Sequence, residues 1–402
     1  MKKLAAILLL SLFMFSCGEE DNPVKDNEDN TVTHTVKMAF LVDNSAQSAT
    51  VDAGAEFAQQ HFNEDYSQAN DSTKFKFEII KYSYDGTPAD AEAKIGEINN
   101  AGIRCVLAPE NLDVTLALAD NFTNITFFSY AEYSDNETVT KDNLYYMHPD
   151  NTMEAKNIAT MLISRDIKNI GIALNKAEWA NDMFARLRTN ISINGGKNSM
   201  IFDVEIKDDL SLWESAGAID VWVEGIDSIN RPNYAMVTLL DVELHGILRE
   251  ASTFFVSDQI TWVATSHNNF NAAVLASDSA SEFVAKTKML FPLFSYADGN
   301  ADLAAEIRAA IGDPLDNSYY YSIYDSFFLM AQAEMHSKLN ANVGIADAIV
   351  ELTETEGIEG ISGNLSFSDL KKRDYYTYRY YSLKENGGSY EWYAESSYEV
   401  KL

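Results

Sequence analysis

The residues best able to do chemistry in this chain are spread in a way that argues against catalysis. Its six histidines, His34, His61, His148, His245, His267 and His336, never fall within four positions of one another, so no pair has the i, i+4 spacing that puts two imidazoles on one metal. There is no Gly-x-Ser-x-Gly elbow, no His-Glu-x-x-His helix, no phosphate-binding P-loop and no Gly-x-Gly-x-x-Gly turn. Paired carboxylates of the kind that hydrolyse glycosides are cheap to find among 61 Asp and Glu and carry little information. What remains is a set of polar and aromatic residues, each just beyond an apolar run. In order these are Asn44, Ser45 and Ser48; Glu110 and Asn111; Ser129, Tyr130, Glu132 and Tyr133; Lys176 and Trp179; Asp241; Thr265 and Ser266; and Tyr296. Hydroxyls, amides, carboxylates and aromatic faces in this proportion suit reversible recognition of a small solute. The reading is therefore no enzyme and no cofactor.

The elements that must position these residues follow from periodicity. Val36–Val42, Lys74–Tyr82, Ile103–Leu107 and Ile125–Phe128 read as strands. Thr50–Asn63, Ala89–Asn100 and Leu112–Phe122 have helical spacing between them. The alternation restarts after about residue 148. Helices are expected at Glu154–Ser164, Glu178–Ile193, Ala216–Ile229 and Val242–Phe255, and strands at Ile170–Leu174, Ser199–Ile206, Ala235–Leu240 and Ile260–Thr265. Strands separated by helices of this length make βαβ units with parallel sheets. Two successive sets make two lobes, as a chain of 402 residues requires. In open parallel sheets ligands sit beyond the carboxyl ends of the strands, which is where the residues named above fall.

Several have a second reading. Asn44, Ser45 and Ser48 suit the cap of the following helix as well as a ligand contact. Glu110 and Glu132 suit solvated helix starts, Trp179 a packing role, and Tyr296, in Ser295-Tyr296-Ala297-Asp298-Gly299, a place in a hinge.

The ends and the charge bound the setting. Met1-Lys2-Lys3, the apolar run Leu4 to Phe15 and Ser16-Cys17 have the layout of a secretory signal, with Cys17 placed for lipid attachment. Residues 18–35 are acidic and polar and read as a flexible tether. The expected setting is the bacterial cell envelope, lipid-anchored and facing either the periplasm or the outer surface. Thirty Lys and Arg against 61 Asp and Glu leave a net charge of −31, which excludes a nucleic-acid partner. With Cys17 lipidated, Cys105 is alone, so no disulfide forms within the chain.

The order of parts resembles the type I periplasmic-binding fold, in its leucine/isoleucine/valine-binding branch of ABC-transporter substrate-binding proteins. The likeness runs from about residue 36 onward. It rests on Lys37–Val42 followed by Gly54-Ala55-Glu56-Phe57-Ala58, on Asp85-Gly86-Thr87-Pro88, on Leu107-Ala108-Pro109, on Phe128-Ser129 and on Tyr146-Met147-His148-Pro149-Asp150. Tyr324-Asp325-Ser326 and the run Ile358-Glu359-Gly360-Ile361-Ser362-Gly363-Asn364-Leu365-Ser366-Phe367 add to it.

The resemblance implies an α/β chain of two Rossmann-like lobes with three interlobe crossovers and a ligand cleft between. Lobe one would take 36–147 and about 283–350, and lobe two 148–282 and about 351–402. The third crossing is expected near 346–358, with Tyr378–Leu383 and Tyr390–Tyr398 as strands of lobe two. The function implied is solute binding for an ABC-type importer. The alternatives are a ligand-sensing receptor, with a sensor rather than a permease as membrane partner, or a surface scaffold with a degenerate pocket. One departure bears on the ligand. Where the family holds an amino-acid carboxylate with Ser and Thr, this chain has Leu112 or Asp113, and Tyr133. Together with Glu110, Glu132, Tyr130 and Trp179, this suits a cationic, aromatic or sugar-like solute better than leucine.

Overall fold

The computed structural model describes residues 31–401 apart from 45–46, 71, 132–140, 205–208, 314 and 370. The signal segment, Cys17 and most of the expected tether lie outside the described residues.

The first sheet holds β1 (Val32–Val42), β2 (Gln68–Asn70), β3 (Thr73–Ser83), β4 (Cys105–Leu107), β5 (Thr126–Ser129) and β6 (Leu144–Tyr146), in the order β2-β3-β1-β4-β5-β6. Every pairing is parallel except that of the short β2. Helices α1 (Gln47–Asp65), α2 (Pro88–Asn100) and α3 (Leu112–Asn121) alternate with the strands. β1 begins four residues before the expected start. Val32-Thr33-His34-Thr35 pair in register with Thr73-Lys74-Phe75-Lys76, so this end of the expected tether is strand. Its β-branched residues fit a pleated surface, and the long β3 supplies a partner for each.

The second lobe opens with α4 (Asn151–Ser164), β7 (Asn169–Leu174), α5 (Glu178–Ile193), β8 (Lys197–Asp203), α6 (Asp209–Glu224) and β9 (Tyr234–Leu239). It continues with α7 (Leu244–Ala251), β10 (Thr261–Val263), α8 (Ala272–Leu275), α9 (Asp278–Thr287) and β11 (Phe291–Phe294). Its parallel sheet runs β10-β9-β7-β8, and a parallel bridge from Val263 to Leu290 leads on to β11. α6 starts seven residues before the expected Ala216, and α7 is shorter at both ends than the expected Val242–Phe255.

The chain then returns to the first lobe as α10 (Ala301–Ile311), α11 (Ser318–Leu339) and α12 (Ile345–Val350). Ile307, Ile323, Phe327 and Ile349 share one buried core with Phe40 and Phe62. A tight pair, β12 (Glu359–Gly360) and β13 (Gly363–Asn364), precedes the long hairpin of β14 (Tyr375–Asn386) and β15 (Ser389–Lys401). That hairpin pairs with β11 in a three-stranded antiparallel sheet of its own, β11-β14-β15, which the Val263–Leu290 bridge links to the parallel sheet.

Two expected boundaries move. Phe283, Val284, Met289, Phe291 and Leu293, expected in lobe one, belong to the second lobe's core. The expected third crossing at 346–358 is filled by α12 and a π-turn, with Ala348, Ile349 and Leu352 packed in the first lobe's core; Ile361 and Leu365 lie there too. The chain crosses later, where Lys372 bridges Tyr146 and β14 begins. The reason is local. Asp325, two turns into α11, accepts the N–H groups of Ile361 (2.6 Å) and Ser362 (3.3 Å) and the Ser362 hydroxyl, which ties this segment to lobe one. Glycine is required in the tie. A Cβ on Gly360 would run into Asp325 Oδ1, and Gly363 has φ +101° with the Tyr375 ring 2.8 Å from where its Cβ would stand.

Candidate functional site

Strand direction decides where a ligand can sit. β6 runs out of the first sheet into the crossing at Met147–Asp150, so the carboxyl ends of all its parallel neighbours lie on that side. β11, aligned with β10 through the parallel Val263–Leu290 bridge, leaves the second lobe at Ser295 on its way back to lobe one, so the carboxyl ends of β7, β9 and β10 lie beside it. The two carboxyl edges therefore share the side on which the lobes are joined.

On the first edge four residues interact. Tyr84 follows β3, Asp43 follows β1, Glu110 follows β4 and Tyr130 follows β5. Tyr84 is buried and donates to the Asp43 carboxylate. Burial first, then Asp43 and Glu110, push its hydroxyl up to about 12. Tyr130 is buried too, and its hydroxyl is raised by burial first, then by Glu110, Asp43 and Tyr84. Two carboxylates thus face two phenols that stay protonated at any physiological pH and serve as hydrogen-bond donors. A Tyr84→Phe variant is expected to leave the phenolate absorbance rise below about pH 11 unchanged in a spectrophotometric titration. A lost early-titrating tyrosine would contradict this burial.

An aromatic path runs from that edge into the crossings. Tyr130 meets Tyr319 edge-on at 6.1 Å, and Tyr319 stacks on His148 at 5.4 Å. Phe294 meets His148 at 5.7 Å and Tyr376 at 5.4 Å. His148, Phe294 and Tyr376 come from the first, second and third crossings, so one cluster of rings holds all three connections together.

On the second edge, Trp179 in the first turn of α5 is half-buried and meets His267 edge-on at 5.0 Å. Ser266 donates both its N–H and its hydroxyl to the buried Glu154, each at 2.6 Å. Thr265 is buried beside Asn268. Asp241 is exposed, and Glu243 accepts its N–H at 3.0 Å and an Asn175 amide N–H at 3.3 Å. Lys176 is exposed.

The remaining expectations divide. Ser45, Glu132 and Tyr133 lie outside the described residues. Asn44 is exposed in the turn after β1, and Ser48 lies in the first turn of α1. Asn111 accepts from the Val114 N–H as the cap of α3, and the side chain is exposed. Ser129 is buried, and its hydroxyl has no hydrogen-bond partner among the described residues. Tyr296 takes the Arg379 guanidinium over its ring at 3.9 Å and packs edge-on to Tyr321 at 5.6 Å, both contacts of a joint between lobes. Sequence reasoning passed over Asp43, Tyr84, His148, Glu154, His267 and Tyr319. Asp43 and Tyr84 carried the same signal as their chosen neighbours, standing one or two places past an apolar run. Glu154 and Tyr319 sit inside helices, where spacing shows nothing of their partners.

Among the described residues no three His, Cys, Asp or Glu side chains are grouped to hold a metal, and no helix is long and apolar enough to cross a membrane. Cys105 is fully buried in β4, and burial pushes its thiol well up, which keeps it inert.

No family model matches the chain, and no curated protein matches it. Solved structures do. An ABC transporter substrate-binding protein from Desulfitobacterium hafniense in complex with Leu is 16% identical, with a TM-score of 0.62 over 90% of this chain and 100% of that one. A putative branched-chain amino acid ABC transporter from Rhodospirillum rubrum is 12% identical, with a TM-score of 0.68 over 89% and 99%. A solute-binding protein from R. palustris in complex with 4-hydroxybenzoate is 9% identical, with a TM-score of 0.59 over 92% and 98%. The chain thus has the two-lobed fold of these substrate-binding proteins over nearly its whole described length.

Proposed function

We propose that the protein is an extracytoplasmic solute-binding protein, anchored through a lipid on Cys17, that closes on a small polar ligand and delivers it to an ABC-type importer. The observation that carries this reading is the pair of carboxyl edges joined by three crossings, one bearing Asp43, Tyr84, Glu110 and Tyr130 and the other Trp179, Thr265 and Ser266. In such an arrangement hinge motion at the crossings brings both edges onto one solute. The likeness to proteins whose structures hold leucine or 4-hydroxybenzoate supports a small-molecule ligand.

The ligand class follows from charge. Asp43 and Glu110 oppose a carboxylate at the first edge, and Tyr84 and Tyr130 offer donors and ring faces there. We assign a ligand with a cationic or polyhydroxylated end toward lobe one and an apolar or aromatic portion toward Trp179.

The test is a thermal-shift screen of the full chain carrying Cys17→Ser against amino acids, polyamines, nucleosides, sugars and aromatic acids. Binding to the native state alone stabilises it by about 2.7 kcal/mol at 100 times the dissociation constant. The expected hits are amines or sugars, weakened about tenfold or more by Asp43→Asn with Glu110→Gln and by Trp179→Ala. Silence across the whole panel would overturn solute binding. Leucine binding indifferent to Trp179→Ala would overturn the ligand class.

A further inference from the structure

α6 is apolar on both of its faces. Leu212, Ala216, Ile219 and Val223 turn inward to the second lobe's core. The opposite face carries Leu210, Trp213, Gly217 and Val221 at i, i+3, i+7 and i+11, with Leu210 59%, Trp213 48% and Val221 68% exposed. A helix with apolar stripes on two sides is expected to be covered on both. The loop after α7 widens the exposed stripe. Asp220, on α6, accepts the N–H groups of Val256 (2.9 Å) and Ser257 (2.7 Å), which fixes Phe254 and Phe255 alongside. Phe254 packs on Trp213 at 5.6 Å, and Phe255 is 89% exposed. Gly217 leaves room for Phe254, whose ring would stand 3.2 Å from an added Cβ. The stripe is continuous and held in place, unlike scattered surface leucines.

Its rim is mainly acidic. Residues 208–230 hold six acidic side chains and no Lys or Arg, with Glu214, Glu224 and Asp227 exposed beside the stripe; of the flanking cations, Lys207 lies outside the described residues and Arg249 pairs with Glu250 at 2.8 Å. Arg231, the next cation, is spent on the carbonyls of Val223 and Ile226 at the end of α6. A second copy would bring the same acidic rim and a net charge of −31 against it. An anionic lipid surface meets the same repulsion. A surface complementary in both respects has an apolar ridge flanked by Lys and Arg.

We propose that this face of α6, with Phe254 and Phe255, is a docking surface for a cationic amphipathic helix of a partner protein. The helix would lie in the apolar stripe with its Lys and Arg against Glu214, Glu224 and Asp227. The stripe shares no residue with those placed at the carboxyl edges, and its test does not depend on the ligand assigned there.

The test uses the full chain carrying Cys17→Ser and a synthetic helical peptide with Leu and Phe on one face and Lys on its flanks. A counterpart with Glu at every Lys position is the control. Calorimetry is expected to show binding of the Lys peptide alone, weaker at ~0.5 M than at ~0.05 M salt. Trp213→Ser with Val221→Ser should weaken it about tenfold or more, and so should Glu214→Gln with Glu224→Gln. These positions are exposed, so unchanged circular dichroism is expected to accompany the loss. Equal binding of both peptides, or Lys-peptide binding unchanged in either double variant, would overturn the proposal. So would a dimer in light scattering that Val221→Glu dissolves, which would make a second copy the occupant. Co-sedimentation with phosphatidylglycerol vesicles that Val221→Glu abolishes would make it lipid.

Discussion

An Arg373→Met variant is expected to lose about 3–5 kcal/mol of unfolding free energy, the usual effect of removing one partner from a fully buried ion pair. Arg373 and Asp325 are both fully buried, with guanidinium and carboxylate 3.4 Å apart. The guanidinium also donates to the Ser362 hydroxyl at 2.7 Å and to the Asn364 carbonyl at 3.0 Å, and it lies over the Tyr376 ring at 5.0 Å and the Phe294 ring at 5.7 Å. Methionine fills part of the volume but leaves the carboxylate without its cation. Burial already raises the Asp325 carboxyl above its ordinary value of 3.8, against the pull of Arg373, and losing Arg373 raises it further.

The sign of the pH effect follows. Below 3.8 the group is protonated in both the folded and the unfolded chain and the penalty is absent; as the pH rises from there toward the raised folded value, the penalty grows. The variant's deficit is therefore expected to shrink in acid. Urea unfolding near neutrality and near pH 4 checks both statements. A neutral-pH change within about 0.5 kcal/mol would show that the pair does not organise the third crossing. Asp325→Leu combined with Arg373→Met removes the buried charge but leaves the Ile361 and Ser362 N–H groups without their acceptor, so no recovery is expected.

A Glu154→Ala substitution is expected to lose about 2–4 kcal/mol, since hydrogen bonds to a charged acceptor contribute about 1.5–3 kcal/mol each. Glu154 sits in the first turn of α4, just after the first crossing, and takes the Ser266 N–H and hydroxyl at the carboxyl end of β10. Its removal leaves a partly buried N–H unsatisfied and frees the short turn of Ser266–Asn268 that carries His267 against Trp179. Stability and solute affinity should fall together. Trp179 is half-buried against the second lobe's core, and Trp179→Ala should lower affinity more than it lowers stability. Glu154→Gln keeps the shape, loses the charge and is expected to fall between. If Glu154→Ala binds solute as the unaltered chain does, the second edge is not part of the site.

Both expectations concern residues whose partners are far away in the chain, and that is where reading along the sequence stopped. Glu178–Ile193 was legible to the residue, and Ala89–Asn100 and Ile170–Leu174 to within one, because their apolar residues recur at helix or strand spacing and polar or Gly-containing turns follow them. The third crossing was misplaced because nothing in the spacing of 346–358 shows that Asp325 holds Ile361 and Ser362 in the first lobe. The exposed face of α6 was passed over because an apolar stripe on either side of a helix reads alike before its neighbours are known.

The sequence by itself determined the class of fold, which polar and aromatic residues stand at strand ends, and the acidity of the chain, since hydrophobic period, turn residues and net charge are local or additive quantities. Only the tertiary structure decided which residues share an edge and where the lobes join. It brought Asp43 to Tyr84 and Glu110 to Tyr130, and Glu154 to Ser266 across 112 positions. Such meetings depend on strand order and on burial together, and neither is written in the spacing of any one segment.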